Sequence, residues 1–202
     1  MQTLVQSELP ELIRWIHSKG WAPGTGGNFS EVISNSPLEL LMSPSGIDKG
    51  DCSHDNMLLV NESGATVTGI GKPSAETLIH VAIARQTDAK VIVHTHSIWN
   101  TIASLSPHPD YRIGGFEMLK GLRGITTHDH MEYIPIFENS QDIAGLSAKI
   151  ESKLKERPET HGILLRGHGL YTWGTSIAEA KRHLEVLEFL FEIQGQLART
   201  AN

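Results

Sequence analysis

Hydrophobic residues along the chain follow two periods, one typical of helices and one typical of strands. Leu9, Ile13 and Ile16 repeat at helical spacing behind the capping residue Ser7, and Gly20 ends the pattern, so they predict a first helix. Similar stripes predict four more helices, which begin near residues 75, 98, 140 and 176. The residues of the last stripe that are predicted to face inward are Leu184, Leu187, Phe191 and Leu197.

Short apolar runs between the helical stripes predict strands. They cover residues 31–34, 38–42, 57–60, 65–68, 91–93, 133–137, 162–165 and 171–173, and the third and fourth form a hairpin. The segment 107–131 differs from the rest, because it is long, polar and rich in His and Gly. Long irregular segments in compact domains are often functional, so this segment is a candidate for function.

Length and charge narrow the class of protein. With 202 residues, the chain is expected to form a single domain that spans residues 1–202. Its 17 Lys and Arg against 23 Asp and Glu give a net charge of -6 without a basic block, which argues against nucleic acid as a partner. No apolar run approaches the ~20 residues that cross a bilayer, so no membrane partner is expected. The lone Cys52 and the absence of a secretory leader predict the cytoplasm.

A histidine pair ends the apolar run at residues 91–93. His94 and His96 are two positions apart, and side chains at that spacing on an extended chain point to the same face. Neutral imidazole is a good ligand for zinc, iron, nickel or cobalt. The pair therefore predicts a metal site, and the alternative is a strand that simply finishes with two polar residues.

A second pair with the same spacing is weaker. No apolar run leads into His128 and His130, and Asp129 between them marks a turn, so their side chains need not share a face. His168 is a better companion for the first pair. It follows the apolar run 162–165 and lies between Gly167 and Gly169, and glycines on both sides allow the close backbone approach that a third ligand needs.

Three loops that contain Gly and Ser suit an anion. They are the Gly-rich segment 21–30, the sequence Ser43-Pro44-Ser45-Gly46 after a strand, and Gly71-Lys72-Pro73-Ser74 before a helix. Each has an ordinary structural alternative, such as a plain turn or an N-cap at Ser74. Together they favour a phosphate site.

Glu117 lies within the irregular segment among Phe116, Met118 and Leu119. Such neighbours would desolvate the carboxyl group and raise its pKa, as a general acid or base requires near neutral pH. The alternative is a solvated Glu on a short amphipathic helix, which the residues alone favour.

Five motifs, taken in order, resemble the class II aldolase/adducin family over nearly the whole chain. They are Gly27-Asn28-x-Ser30, Ser43-Pro44-Ser45-Gly46, Lys72-Pro73-Ser74-Ala75-Glu76, His94-x-His96 and Gly167-His168-Gly169. Within the family, residues 116–121 and 168–174 look most like a dehydratase subgroup. The resemblance implies an α/β fold, a three-layer α/β/α sandwich around a central, largely antiparallel sheet.

The resemblance also implies the site. One divalent metal ion, usually Zn2+, would be held by His94, His96 and His168, and three ligands leave a position open for substrate. Glu76 matches an acid that acts on the substrate or ligates the resting metal in family aldolases. Glu117 matches the proposed acid/base of the dehydratases, which reverses the preference for a surface role. The residues that would bind the substrate phosphate are Gly27, Asn28, Ser45, Gly46 and Ser74.

Three functions remain open at this point. The first is dehydration of a small phosphorylated ketose by a homo-oligomer, with a tetramer favoured by the resemblance. The second is aldol cleavage or epimerisation of a related ketose phosphate, because the family's aldolases use the same ion to stabilise an enediolate. The third is a non-enzymatic, adducin-like interaction module, which is weakest because it has no need of three metal-binding histidines.

Overall fold

The structure is a computed structural model that describes residues 7–200. These residues form five α-helices, nine strands and three short 3₁₀ helices. The α-helices are α1 (Leu9–Ser18), α2 (Thr77–Gln86), α3 (Ile98–Ser104), α4 (Ile143–Glu156) and α5 (Ile177–Thr200). The strands are β1 (Asn28–Asn35), β2 (Leu38–Met42), β3 (Leu58–Asn61), β4 (Thr66–Thr68), β5 (Val91–Thr95), β6 (Asp110–Gly114), β7 (Met131–Phe137), β8 (Gly162–Leu165) and β9 (Gly169–Gly174). The 3₁₀ helices are Lys49–Asp51, His54–Asn56 and Glu117–Gly121.

The nine strands form one sheet in the order β4-β3-β2-β1-β5-β9-β8-β7-β6. β7 and β8 pair in parallel, whereas the other neighbours pair antiparallel. β5 occupies the centre of this order. Its register places His94 opposite Asn28 of β1 on one side and opposite Tyr171 of β9 on the other. Residues that are distant in sequence therefore flank His94 from both neighbouring strands.

Successive residues of β5 belong to different hydrophobic clusters. Val91 and Val93 pack with buried residues of α1 and α5, whereas Ile92 packs with buried residues of α2 and α4. Neighbouring side chains of a strand point to opposite faces of a sheet, so helices lie against both faces of β5. The chain thus has an α/β fold in which helices pack against a mixed, largely antiparallel sheet.

The hydroxyl groups of Ser7 and Ser176 accept backbone N–H groups near the start of the first and last helices. In α1, the N-cap position itself is Glu8. Ser7 Oγ accepts a hydrogen bond of 2.9 Å from the backbone N–H of Leu9 at the start of α1. Ser176 Oγ accepts one of 3.2 Å from the N–H of Glu179 at the start of α5, and the Glu179 carboxylate accepts the N–H of Thr175 at 2.8 Å. These bonds satisfy N–H groups that have no partner inside a helix.

Most predicted elements are confirmed, and two details are wrong. β6 lies in the segment for which no pattern is predicted, because it is an edge strand in which only Ile113 is buried. Leu197 is predicted to face inward but is 56% exposed, since the buried residues of α5 end at Phe191. Across residues 7–200, no helix has both the length and the apolarity needed to cross a membrane.

Candidate active site

Three histidines converge at the C-terminal end of β5. His94 lies in β5, His96 follows it, and His168 lies in the turn between β8 and β9. Nε2 of His94 is 2.8 Å from Nε2 of His96 and 3.3 Å from Nε2 of His168. Within residues 7–200, they are the one group of three or more ligating side chains close enough to share an ion, with all ligand atoms within 4.8 Å of one another. The structure thus brings together the three residues predicted as ligands.

Two glycines let the backbone approach these histidines closely. A Cβ atom at Gly169 would lie 2.1 Å from the carbonyl oxygen of Thr95, and one at Gly26 would lie 2.6 Å from Nδ1 of His96. Either contact is too short for a real side chain, so larger residues would displace β5 or the imidazole. The close approach predicted beside His168 is confirmed at Gly169, and Gly26 is a further position that sequence reasoning did not single out.

Two of the three side chains, His94 and His96, are held in the neutral state that binds a cation. Nδ1 of His94 lies 3.0 Å from the carbonyl oxygen of Leu170 and donates to it, which leaves the Nε2 lone pair facing the other two rings. Burial, followed by the neighbouring His96 and His168, holds the pKa of His94 well below its usual value, and burial lowers the pKa of His96 to about 4. Neutral imidazoles whose lone pairs face one another fit a divalent ion.

Glu76 is the carboxylate beside the histidines. Its Oε2 lies 3.6 Å from Nε2 of His94, and its Oε1 lies 3.5 Å from Nδ1 of His168. Nδ2 of Asn28 donates a hydrogen bond of 2.7 Å to the same Oε2. The carboxylate is therefore fixed where it is able to ligate an ion or exchange a proton with a bound molecule.

A chain of buried hydrogen bonds orients Asn28. Because Nδ2 of Asn28 donates to Glu76, its Oδ1 is the acceptor, and Nε2 of His80 donates to it at 2.5 Å. The other ring nitrogen of His80 then accepts from Ser30 Oγ at 2.7 Å. Burial lowers the pKa of His80 to about 3, so this histidine stays neutral and keeps that pattern. Sequence reasoning missed His80, which resembles an ordinary polar position of α2.

Gly27 and Asn28 enter β1 directly beside His94. Gly27 has a φ of 75°, and a Cβ atom there would lie 2.7 Å from the carbonyl oxygen of His94. Only glycine suits both the left-handed conformation and the short distance. One Asn28 N–H is used by Glu76, and the amide group has a second N–H to offer a ligand.

The other two predicted phosphate loops are joined to each other. The backbone N–H of Ser45 donates to the carbonyl oxygen of Lys72 at 2.8 Å. Ser74 Oγ accepts the N–H of Glu76 at 3.2 Å, and Gly46 has a φ of 79° with open space around its Cα. Through Glu76 and its bond to Asn28, the structure connects all three loops to the histidine cluster.

A buried lysine supports the Gly-rich loop. Lys49 Nζ donates to the carbonyl oxygens of Thr25 at 2.9 Å and Ile47 at 3.1 Å. Burial lowers its pKa, and its charge contributes to the low pKa of His96. Nothing in the sequence around Lys49 distinguishes it from a surface lysine, so this contact was not predictable.

A buried carboxyl group supports the turn that follows His96. Glu188 of α5 is 3% exposed and accepts hydrogen bonds from Ser97 Oγ at 2.5 Å and from Asn100 Nδ2 at 2.8 Å. Asn100 Nδ2 also lies 2.9 Å from Thr95 Oγ1. Burial raises the pKa of Glu188 to about 7. The network ties α5 to the two residues that flank His96.

Glu117 is not part of this cluster within the chain. Its side chain is 71% exposed, lies 2.5 Å from Lys120 Nζ and is 3.7 Å from Nδ1 of His128. The hydrogen bond from Lys120 lowers its pKa. The expectation that apolar neighbours desolvate Glu117 and raise its pKa is therefore wrong within one chain, because its carboxyl group is exposed and Leu119 is the one buried residue of this 3₁₀ helix. Its role as acid/base stays a prediction.

The weaker histidine pair is divided between two environments. His128 is exposed and lies near Glu117, whereas His130 Nε2 lies 2.8 Å from Oε2 of the buried Glu132. The two rings thus have separate partners. The sequence predicted that His128 and His130 are a weaker candidate for a metal site than His94 and His96. In the described residues, the histidines that lie close enough to share an ion are His94, His96 and His168.

The chain belongs to the class II aldolase/adducin family. Residues 7–195 match the family described as Class II Aldolase and Adducin N-terminal domain, which confirms the resemblance seen in the sequence. The fold that carries the histidine cluster is similar to that of solved structures. The structure of YgbL from Klebsiella pneumoniae is 26% identical with a TM-score of 0.78, over 94% of this chain and 87% of that one.

Two relatives with higher sequence identity to this chain have the same name. A methylthioribulose-1-phosphate dehydratase from Enterobacter sp. (strain 638) is 45% identical over 193 residues, which cover 95% of this chain and 94% of that protein. Another from Pseudomonas fluorescens (strain Pf0-1) is 39% identical over 183 residues, covering 90% and 87%. The L-fuculose-1-phosphate aldolase from Thermus thermophilus shares the fold, with a TM-score of 0.75 and 21% identity over 96% of this chain and 95% of that one.

Proposed function

We propose that this protein catalyses the metal-dependent dehydration of 5-methylthioribulose 1-phosphate to 2,3-diketo-5-methylthiopentyl 1-phosphate, a step of methionine salvage. The observation that carries the proposal is the 45% identity, over 95% of the chain, to a protein named for this reaction. The converging histidines His94, His96 and His168 supply the metal site that such a lyase needs.

The metal-binding residues in this proposal are those three histidines, with Zn2+ as the proposed ion. A divalent ion held there polarises carbonyl and hydroxyl oxygens as a Lewis acid, which acidifies the neighbouring C–H bond. The protein's part is to orient the three imidazoles and to keep His94 and His96 neutral, and the bond from His94 to Leu170 orients the central ring.

The phosphate of the substrate is assigned to the three joined loops. Backbone N–H groups of Gly27 and Gly46, the second N–H of Asn28 and the hydroxyls of Ser45 and Ser74 are the proposed donors. The link from Ser45 to Lys72 and the link from Asn28 to Glu76 support this assignment, because they hold the loops near the histidines. A phosphate bound there would fix the sugar relative to the metal site.

Proton transfer in the reaction needs a base and an acid. The base removes the proton from C3, and the C4 hydroxyl leaves as water once it is protonated. The resulting enol then takes a proton at C4 and releases its hydroxyl proton at C3 to give the diketone. We assign the first two transfers to Glu117, and we assign to Glu76 the orientation of the substrate oxygens beside His94 and His168.

Glu117 of a neighbouring copy is the proposed contributor to each site. In one chain its side chain is exposed and makes its ion pairs with Lys120 and His128, not with the cluster. A homo-oligomer, with a tetramer favoured, would place this exposed carboxylate over the histidines of the next subunit. The proposed partners are therefore a small phosphorylated ketose and further copies of the chain.

The direct test is to incubate metal-loaded protein with 5-methylthioribulose 1-phosphate and follow the product by mass spectrometry. Loss of one water is expected. Cleavage of fuculose or ribulose phosphates without any dehydration would instead favour a sugar-phosphate aldolase or epimerase. That second function is favoured by one observation, the position of Glu76 beside the cluster, because an acid at this place suits enediolate chemistry without Glu117.

A mixing experiment tests the shared site. His94→Ala and Glu117→Gln variants are each expected to be inactive, and unfolding and refolding them together should restore activity above the sum of the two. Continued inactivity of the mixture would place Glu117 and the histidines in the same subunit. The Glu117→Gln variant should keep its metal, which separates loss of the acid/base from loss of the ion.

The proposal extends to architecture and location. We assign the helices to two layers around the sheet, a three-layer α/β/α sandwich, supported by the opposite packing of Val91 and Ile92. We also propose one domain over residues 1–202 and a cytoplasmic location, in which the buried Cys52 stays reduced.

A further inference from the structure

A second group of buried titratable side chains lies away from the histidine cluster, where β7 and β8 begin. Glu132 is 2% exposed. Its Oε1 accepts hydrogen bonds from the backbone N–H of His161 and from Nδ1 of the same residue, both at 3.1 Å. Its Oε2 faces His130 Nε2 at 2.8 Å. The carboxylate thus links the start of β7 to the residue that precedes β8.

His161 faces an acceptor with each of its ring nitrogens. While Nδ1 faces the Glu132 carboxylate, Nε2 lies 2.9 Å from the carbonyl oxygen of Arg123. A neutral imidazole has one N–H and is unable to donate to both, so the ring carries two protons. Burial lowers the pKa of His161, but the bond to Glu132 and its negative charge outweigh burial and raise it.

His183 binds the backbone N–H of Arg123, the residue whose carbonyl oxygen faces His161. Its Nε2 accepts the N–H of Arg123 at 3.1 Å, and its Nδ1 donates to the carbonyl oxygen of Trp173 at 2.7 Å. This pattern requires a neutral ring, and burial lowers its pKa to about 4. The rings of His161 and His183 lie edge to face with centroids 5.2 Å apart. One charged and one neutral histidine therefore grip both backbone groups of Arg123.

The gripped residue lies just after the 3₁₀ helix that carries Glu117. That helix ends at Gly121, whose carbonyl oxygen accepts a hydrogen bond of 2.9 Å from Arg182 Nε. Leu122 is buried and precedes Arg123 directly. The backbone that follows Glu117 is thus anchored to α5 by His183 and to the start of β8 by His161.

We propose that Glu132, His161 and His183 form a clamp on the Arg123 backbone that positions the helix bearing Glu117, and that loss of the second His161 proton releases this clamp. The proposal rests on the proposed function, because it treats Glu117 as the acid/base. The three clamp residues are positioning residues. His161 and His183 hold the Arg123 backbone just after the helix, and Glu132 holds His161.

The charges around His161 decide how the clamp responds to pH. The clamp is intact below the raised pKa of His161 and is lost as the pH rises through that pKa. In acid, protonation of Glu132 weakens the clamp. Burial raises the pKa of Glu132, but its contacts with His161 outweigh burial and lower it. The clamp borders a cavity of about 540 Å³. The other charged or titratable groups that face it are His130, Glu159, the Arg123 guanidinium with its partners Asp88 and Glu179, and Arg182.

The first test reads the clamp without any enzyme activity. In ¹⁵N NMR spectra of the full chain, both ring nitrogens of His161 should be protonated at pH 6.5, and the titration midpoint should lie above that of the exposed His108. Glu132→Gln keeps an acceptor oxygen but removes the charge, so it should lower the midpoint by at least one pH unit. A midpoint at or below that of His108, or no shift in Glu132→Gln, would overturn the proposal.

The second test reads the position of the helix. Amide hydrogen exchange of residues 116–125 should become at least tenfold faster in His161→Gln than in the wild type, while the control His108→Gln leaves it unchanged. The wild type should show the same acceleration, beyond the intrinsic pH effect on exchange, as the pH passes the His161 midpoint. The pH series on the wild type replaces the variant if His161→Gln does not fold. Unchanged exchange rates in both measurements would contradict the proposed clamp.

Turnover separates the clamp from the proposed function. With metal content and KM unchanged, kcat of His161→Gln should fall about tenfold, and the alkaline limb of the kcat profile should move to lower pH in Glu132→Gln. Faster exchange with unchanged kcat would support the clamp and refute the catalytic role of Glu117. Lower kcat with unchanged exchange would refute the clamp and leave the proposed function standing.

Discussion

The phenol ring of Tyr171 lies flat against the imidazole of His94, with 3.9 Å between centroids and 12° between planes. Both residues are fully buried and face each other across the β5–β9 ladder. The aromatic face therefore fixes the tilt of the central histidine. Burial, followed by the nearby Glu76 carboxylate, raises the pKa of the Tyr171 hydroxyl well above its usual value.

Substitution of Tyr171 should separate ring from hydroxyl. Tyr171→Phe keeps the aromatic face stacked on His94, so its metal affinity should equal that of the wild type. Tyr171→Leu should weaken metal binding roughly 10- to 100-fold, as loss of support around a ligand typically does. Competition with a chelator measures both. Equal affinities for Phe and Leu would mean that the stacking does not orient His94.

Acid should destabilise the metal-free protein from about pH 6.5 downward. The buried His80 has a pKa of about 3 in the folded state, and a base with a lowered pKa contributes stability above its unfolded pKa and loses it as the pH falls. At about 1.4 kcal/mol per pH unit, His80 should remove about 2 kcal/mol from the free energy of unfolding by about pH 5. Urea titrations measure this slope. It should flatten in His80→Phe and persist in His108→Gln.

Glu188 should have the opposite pH dependence. Its pKa is raised from 4.5 to about 7, so the folded state holds a proton that the unfolded state releases, and stability is lost as the pH rises through that range. Glu188→Gln mimics the protonated form and should be more stable than the wild type at about pH 8, by up to roughly 3 kcal/mol. Glu188→Ala should lose about 2 kcal/mol, since Asn100 is left without its acceptor. Thermal or urea unfolding distinguishes the three proteins.

Asn28→Asp should damage the site more than its size suggests. The Nδ2 group that donates to Glu76 at 2.7 Å would become a carboxylate oxygen facing another carboxylate. Repulsion should raise the pKa of one of the two acids and lower kcat/KM about 100-fold, about 3 kcal/mol of transition-state stabilisation. Asn61→Asp is the matched control, because Asn61 Oδ1 only accepts N–H and O–H groups of its own turn. Equal kinetics for the two variants would contradict the role of the amide.

The ligand set was readable from sequence because its signals are local. The spacing of His94 and His96 at a strand end and the glycine beside His168 each follow from a few consecutive residues, and Gly169 owes its identity to one close contact with Thr95. The fold of most strands was readable for the same reason, because apolar runs bounded by polar residues mark them.

The supporting residues were not readable, because their partners are far away in sequence. His80 lies 50 positions from Ser30 and 52 from Asn28, and Glu188 lies 91 positions from Ser97. A polar residue on a helix looks the same in sequence whether it meets water or such a partner. The prediction for the pKa of Glu117 was wrong for a different reason. The apolar residues next to it in sequence leave its carboxyl group 71% exposed.

The order in which the ligands occur along the chain has a consequence for biosynthesis. His94 and His168 are 74 positions apart, and an ion that ties them closes a loop worth about 4 kcal/mol in a chain-entropy estimate. A nascent chain on the ribosome holds two ligands long before it has the third, and those two alone do not complete the site. Tight binding of an ion by the three histidines would thus mark a subunit whose synthesis has passed β8 and whose central strands have paired.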